Sequence, residues 1–585
     1  MPQWLKLLVI YTIIFLSGVM CSKNEGTAPK ESIEGELGKS LDTYLTRIVP
    51  FGFSGALLVA KDGEIILNKG YGMAVESEEI QNTAETVFST GSLTKQFTAA
   101  AIMKLEMLGK LKTEDRIDRY FDCIPEDKKE ITLHHLLTHS AGLPGASGRD
   151  FAEAARDETV KKILDTPLAF APGDRFSYSN CGYSLLAAIV EIVSSQSYER
   201  FLNEKLFKPS GMDFTGYRIP QWEKKVIAHW YAQGKDNLTP LSKPYPQWNL
   251  LGNGGILSTT EDMYKWHLAL KGNSILSVEA KKKMFTPYLN DYGYGWDVME
   301  TDRGLLIKHD GGSSLGIGAE FRRYLDAGIV FVLFGNRDGE KILFEEGLRE
   351  KVDDIIFGGD VPIPYDVQKT KSIPLGIYSG EYKLETGGHF SVKEKNGGLS
   401  IIPIDQDAIS VLIFDERKNT PDLAELNRIS VELFEGILDE NFRQFEALVP
   451  DPERRARIAK FIRWRMDHYF DMTGDITGVR AEGTIPGPSD LPNSLATLVV
   501  LEGERENVAF KVIWQNQNFA GLEPSMPGKI LSITFMPLSA TEFAGYHIGM
   551  AKNFRIEFTS KDDGTISTLV VRTSNGDTAA SKCAQ

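Results

Sequence analysis

Three short stretches carry the residue types of acyl-transfer chemistry. Ser92-Leu93-Thr94-Lys95 sets a hydroxyl and an amine three residues apart, which a helix would put on one face. A serine at a helix N-terminus has backbone N–H groups around its hydroxyl that can stabilise an oxyanion. A buried lysine loses proton affinity and can then take the serine proton. Alone, the spacing is better explained by an N-capping serine beside a solvated lysine. Tyr178-Ser179-Asn180, after Pro172-Gly173, adds a phenol and a carboxamide; by itself it reads as a loop tyrosine and an Asn N-cap. His309-Asp310-Gly311-Gly312 ends an apolar run with a polar side chain and two glycines, where a backbone can approach a substrate closely. Its plain alternative is a hairpin turn.

One rival nucleophile exists. Gly312-Ser313-Ser314-Leu315-Gly316 fits the Gly-x-Ser-x-Gly elbow, which needs a strand, a sharp turn and a substantial helix. The following AEFRRY and GIVFVLF both read as strands, which counts against Ser314. His134, His135 and His139 cluster. His229, His267, His389, His468 and His547 are scattered, without a His-Glu-x-x-His spacing.

The elements that must position these groups are legible in outline. Ser54 to Gly72 reads as a hairpin around Lys61-Asp62-Gly63. Leu93, Phe97, Ala100, Ala101, Leu105 and Leu108 recur at helical spacing after Ser92, with Gly109 as a stop. Leu186, Ile189, Val190 and Val193 predict a second helix after Asn180. GLLIKH, AEFRRY and GIVFVLFGN predict antiparallel strands, the last two joined at Leu325 to Gly328.

The three motifs in this order resemble the serine β-lactamase and penicillin-binding-protein superfamily, with Tyr-x-Asn similar to its class C branch and esterase and peptidase relatives. Supporting stretches are Ile131 to Gly145, Gly252 to Met263 and YGYGW from Tyr292. The resemblance spans residues 33–359. It implies an α/β (α+β) fold, an antiparallel sheet flanked by helices with a helical subdomain, and it places His134, His135 and His139 in a structural helix-loop, where packing is their better reading. It also implies that Ser92 forms an acyl-enzyme, that Lys95 and Tyr178 share general base and acid work, and that Asn180 bonds the substrate or Lys95. The oxyanion hole would be the N–H groups of Ser92 and Gly312, with His309 and Gly311 beside the substrate. A free tyrosine titrates near 10 and would need Lys95 as a neighbouring cation to act as a base. The departure is His309-Asp310-Gly311 in place of Lys-Thr-Gly. A mostly neutral histidine and the Asp310 charge disfavour an anionic β-lactam, so esters, small peptides or amides are the expected substrates.

Composition narrows the partners. The chain has 585 residues, 42% hydrophobic and 25% charged, as ordinary globular proteins have. Its 65 basic and 80 acidic residues leave a net −15, which argues against nucleic acid and against electrostatic docking on anionic lipid. The expected partner is a small-molecule ester or peptide. Four cysteines without Cys-x-x-Cys spacing suggest neither a disulfide scaffold nor zinc, and no metal or cofactor is expected. Lys6 followed by an uncharged run from Leu7 to Met20 predicts a signal peptide over residues 1–22 and an extracytoplasmic location. Cys21 stands where a bacterial lipoprotein is acylated, although Gly18-Val19-Met20 departs from the usual Leu-small-small pattern.

Beyond Gly359 the texture changes. Residues 360–375 read as a linker. Residues 376–414 read as short strands around Asn396-Gly397, which with 529–585 would form a small β-barrel. Residues 419–520, helices and then strands, resemble a cystatin-like α+β cone inserted into it.

Overall fold

The computed structural model describes residues 31–583 apart from 368–372, 396, 415–421, 440, 442, 457, 460–461, 463–473, 488–490, 492, 506, 526–530 and 574–575. The expected leader with Cys21, the core of the expected linker and Asn396 lie outside the described residues.

Seven strands form one antiparallel sheet: β1 (Ser32–Ile33), β2 (Gly55–Lys61), β3 (Glu64–Tyr71), β4 (Asp297–Thr301), β5 (Gly304–Ser313), β6 (Ile317–Tyr324) and β7 (Ile329–Gly335). Their order is β1-β3-β2-β7-β6-β5-β4, so the N-terminal hairpin and the later strands meet where Gly55 faces Gly335 and Val59 faces Phe331. The β2–β3 turn has Asp62 and Gly63 at φ 53° and 93°, the left-handed pair that matches strand twist.

Both central strands read as unbroken apolar runs because both faces of the sheet are covered. One face packs on α1 (Gly35–Ile48) through Leu41, Tyr44, Leu45 and Ile48. The other carries the larger core, built around α2 (Thr94–Met107) and α3 (Asn180–Ser194). A short helix, α4 (Leu348–Ile356), returns to the α1 side with Leu348, Val352 and Ile356 buried.

Two local expectations are corrected. Ser92 does not cap an α-helix: Gly91–Leu93 is a tighter 3-10 turn, and α-helical bonding begins at Thr94. Likewise Ser179, not Asn180, caps α3, its hydroxyl accepting the Gly182 N–H at 3.2 Å. The tight turn sets Ser92 against the end of β5, beside Gly311.

The later region begins with β8 (Gly380–Leu384), β9 (His389–Lys395) and β10 (Gly398–Pro403). The chain then forms α5 (Gln406–Ile413), a helix inside the segment expected to be all strand. Asp405 caps it by accepting the Ala408 N–H, and Ile409, Leu412 and Ile413 bury its inner face. Helix α6 (Leu423–Leu438) packs on a four-stranded antiparallel sheet of β11 (Ile476–Pro486), β12 (Ser494–Gly503), β13 (Val508–Gln515) and β14 (Asn518–Ser525). The chain returns through β15 (Ile533–Pro537), β16 (Glu542–His547), β17 (Lys552–Ser560), β18 (Ile566–Thr573) and β19 (Gly576–Lys582). These close an eight-stranded barrel with β8–β10: Leu399 faces Phe535, and Tyr382 faces Lys582. Tyr546 of the barrel reaches Tyr44 of α1, their hydroxyls 3.4 Å apart.

Candidate active site

The tight turn, the loop before α3 and the end of β5 converge on one cleft. Gly91, Ser92, Asn180, Asn253, Gly312 and Asp150 are among the residues that line it. Lys95, fully buried, reaches back from the first turn of α2 so that Nζ lies 3.0 Å from Ser92 Oγ and 2.6 Å from the Asn253 carbonyl oxygen. Burial pushes its ammonium well below the usual lysine range; Asp150 and Asp310 oppose this without reversing it. When uncharged, the amine can keep one N–H on the Asn253 carbonyl and offer its lone pair to the Ser92 hydroxyl.

Tyr178 is close enough to Ser92 for the serine side chain to act on its phenol, and its ring centroid is 4.7 Å from Lys95 Nζ. Its phenol is raised above the ordinary value, first by desolvation, with the Ser92 side chain pulling the other way. The residue as a whole keeps 39% of its surface open to solvent. The rise corrects the expectation that Lys95 depresses the Tyr178 pKa. The buried lysine prefers to be uncharged, so the phenol keeps its proton.

Asn180 lies on the cleft wall, and its Oδ1 is buried without a hydrogen-bond partner among the described residues. It therefore does not hold Lys95. That task falls to the Asn253 backbone, in a stretch noted for resemblance but not for contact, and main-chain contacts leave no side-chain signal in a sequence.

The third motif divides between two faces, as alternation along a strand requires. His309 and Gly311 face the nucleophile's side. A Cβ on Gly311 would fall 2.4 Å from the Thr90 carbonyl oxygen and 2.6 Å from the Ser92 nitrogen, so only glycine lets β5 approach the turn. A Cβ on Gly91 would in turn meet the Gly312 nitrogen at 3.1 Å, which sets that N–H beside the Ser92 turn.

His309 does not contact the cleft. Its Nδ1 lies 2.6 Å from the Asp310 carbonyl oxygen, to which it can only donate. Nε2 therefore accepts from the Tyr292 hydroxyl at 3.0 Å. Burial lowers its pKa, against the raising effect of Asp297 and Asp310, and neither nitrogen is left for a substrate carboxylate. Asp310 points to the opposite face. Arg349 of α4 bonds it at 3.1 Å and also holds the fully buried Glu320. The Asp310 charge expected to repel anions is thus compensated on the far side of the sheet.

Ser314 follows the last residue of β5 and is succeeded by another strand, without the helix an elbow needs. Among the described residues, Cys123, Cys181 and Cys583 are free thiols.

His139, assigned to packing by the resemblance, does more. Its Nδ1 accepts the Ser179 N–H at 3.1 Å, and its ring lies against Tyr178, with centroids 4.2 Å apart. It pins the loop that presents Tyr178. His139→Phe is expected to leave the buried Ser179 N–H unsatisfied, at about 1–3 kcal/mol, and to lower kcat about tenfold with less effect on KM. His139 sits at φ 55°, where Asn is tolerated, so His139→Asn should retain more of both. Thermal midpoint and steady-state kinetics of the two variants check this.

Residues 52–350, just over half of the chain, match the Beta-lactamase family, and the chain belongs to it. It is 30% identical over 383 residues to Penicillin-binding protein 4* of Bacillus subtilis (strain 168), spanning 59% of this chain and 83% of that protein. It is 27% identical over 297 residues to Protein flp of Staphylococcus aureus (strain COL), spanning 47% of this chain and 58% of that one. Among solved structures, a penicillin binding protein from Bacillus halodurans is 26% identical and covers 52% of this chain and 95% of its own, with a TM-score of 0.45.

Proposed function

We propose that the protein is an exported serine hydrolase that cleaves an ester, peptide or amide bond through an acyl-enzyme on Ser92. The observation that carries this reading is the Ser92 hydroxyl 3.0 Å from the nitrogen of a fully buried lysine, with the Tyr178 phenol beside it. In acylation, neutral Lys95 takes the Ser92 proton as Oγ bonds to the substrate carbonyl carbon. The oxyanion forms against the N–H groups of Ser92 and Gly312. Tyr178 gives its proton to the departing oxygen or nitrogen and recovers one from the Lys95 ammonium, so each group ends as it began. In deacylation a water repeats the sequence, leaving the free acid and restored Ser92.

A second reading, a penicillin-recognising β-lactamase or D,D-peptidase, draws on the likeness to Penicillin-binding protein 4*. It is disfavoured because His309 offers no cation or free N–H to a substrate carboxylate. The test is one panel: a chromogenic short-chain ester, a chromogenic cephalosporin and a D-alanyl peptide, with intact-mass detection of adducts. Ester or peptide turnover and a fluorophosphonate adduct, both lost in Ser92→Ala, are expected. A stable penicillin adduct would favour the second reading. Neither turnover nor adduct would make the protein an idle binding or sensor protein.

A further inference from the structure

The cleft holds one carboxylate that the acylation chemistry does not use. Asp150 lines it together with Ser92, Asn180, Trp230 and Phe151. Asp150 is exposed at the cleft mouth, and partial desolvation of its carboxylate raises its pKa, an effect that any positive charge on Lys95 opposes. Other acids near the site have partners: Asp310 has Arg349, and Asp297 has Lys308 at 3.6 Å. Among the described residues, none pairs with Asp150. Lys243 lies over the Phe151 ring, 5.9 Å from its centroid. The amine of Lys95 can ease the field but is fully buried and committed to Ser92 and Asn253.

The cleft therefore combines an unpaired carboxylate at its mouth with aromatic walls from Trp230, Phe151 and Tyr245. That combination attracts a compact cation, through a charge-assisted hydrogen bond and ring faces together. A substrate carboxylate would instead meet repulsion from Asp150.

We infer that Asp150 anchors a protonated amine carried by the substrate within reach of the scissile carbonyl, so that the preferred substrates are amino-bearing esters or amides. This rests on Ser92 being the acylated residue. The step is recognition only: the amine stays protonated while the ester or amide bond is cleaved.

The test uses matched pairs of substrates. In one pair the amine lies on the acyl portion, as in an aminoacyl nitrophenyl ester and its N-acetyl form. In the other it lies on the leaving group, as in an aminoethyl ester and its N-acetyl form. In the full-length protein, the free-amine member of at least one pair is expected to be preferred about tenfold or more in kcat/KM. That ratio should collapse as pH rises through the substrate amine's own pKa. Asp150→Asn should abolish the ratio and Asp150→Glu should keep part of it. Equal rates within both pairs, or a preference that survives Asp150→Asn, would overturn the inference. Hydrolysis of all four esters with no preference would leave the acyl-enzyme reading standing. Absence of hydrolysis together with absence of a fluorophosphonate adduct would remove that reading and this one with it. If Asp150→Asn fails to fold, the pH collapse of the wild-type ratio decides.

Discussion

Lys95→Gln is expected to lower kcat/KM by about a thousandfold, within the range that general-base catalysis supplies, while the fold persists. The side chain has no solvent contact, and its nitrogen is hydrogen-bonded to Ser92 Oγ and the Asn253 carbonyl. An amide at this position can still donate to Asn253 but cannot take a proton from serine. Lys95→Arg should fare no better, because a guanidinium stays protonated at any working pH. The wild-type pH profile supplies the sign. The folded lysine is shifted downward by burial, so the neutral amine dominates at pH values where an ordinary lysine is charged. Activity should fall as pH drops through that lowered value, since protonation removes the lone pair. Lys95→Gln should lose this acidic limb along with the rate. Steady-state kinetics across pH, with thermal midpoints to show retained folding, check both statements. A glutamine variant with near-wild-type turnover would assign the base elsewhere.

Gly311→Ala is expected to cost about a hundredfold or more in kcat, the scale of losing one oxyanion donor. The new methyl would lie inside contact distance of two backbone atoms, the Thr90 carbonyl oxygen and the Ser92 nitrogen. Backbone cannot rotate away as a side chain would, so β5 must retreat from the turn. The retreat carries the Gly312 N–H with it and widens the space where charge develops. Binding contacts elsewhere in the cleft are unaffected, so KM should move less than kcat. A crystal structure or a fluorophosphonate labelling rate would detect the displacement directly. An alanine variant that labels at the wild-type rate would show that Gly312 does not serve the oxyanion.

Much of this site was readable because its chemistry depends on local spacing. Ser92 and Lys95 are one helical turn apart, Tyr178 and Asn180 flank a helix start, and glycines end a strand. The rest depends on what lies across space. Nothing local distinguishes His139, pinned to Ser179, from a packed histidine, and Asp150 has no fixed spacing to any motif. The side to which Asp310 points was legible in principle: alternation sets it opposite His309, away from the substrate. Helix α5 was misread because Ile409, Val411 and Ile413 favour strands locally, and a short buried helix and a strand share the same apolar run. Asp405 capping that run was the available clue.

The closed barrel has an order of events built into it. Strand β10 has no second neighbour until β15 is made, and everything from Gln406 to Leu531 intervenes. At ribosomal speed that interval is on the order of ten seconds. Through it, a nascent chain carries a bare strand edge rich in Leu399, Ile401 and Ile402, the kind that recruits other chains. Whatever shields that edge during synthesis, whether a chaperone or a provisional pairing, governs how much of the protein matures.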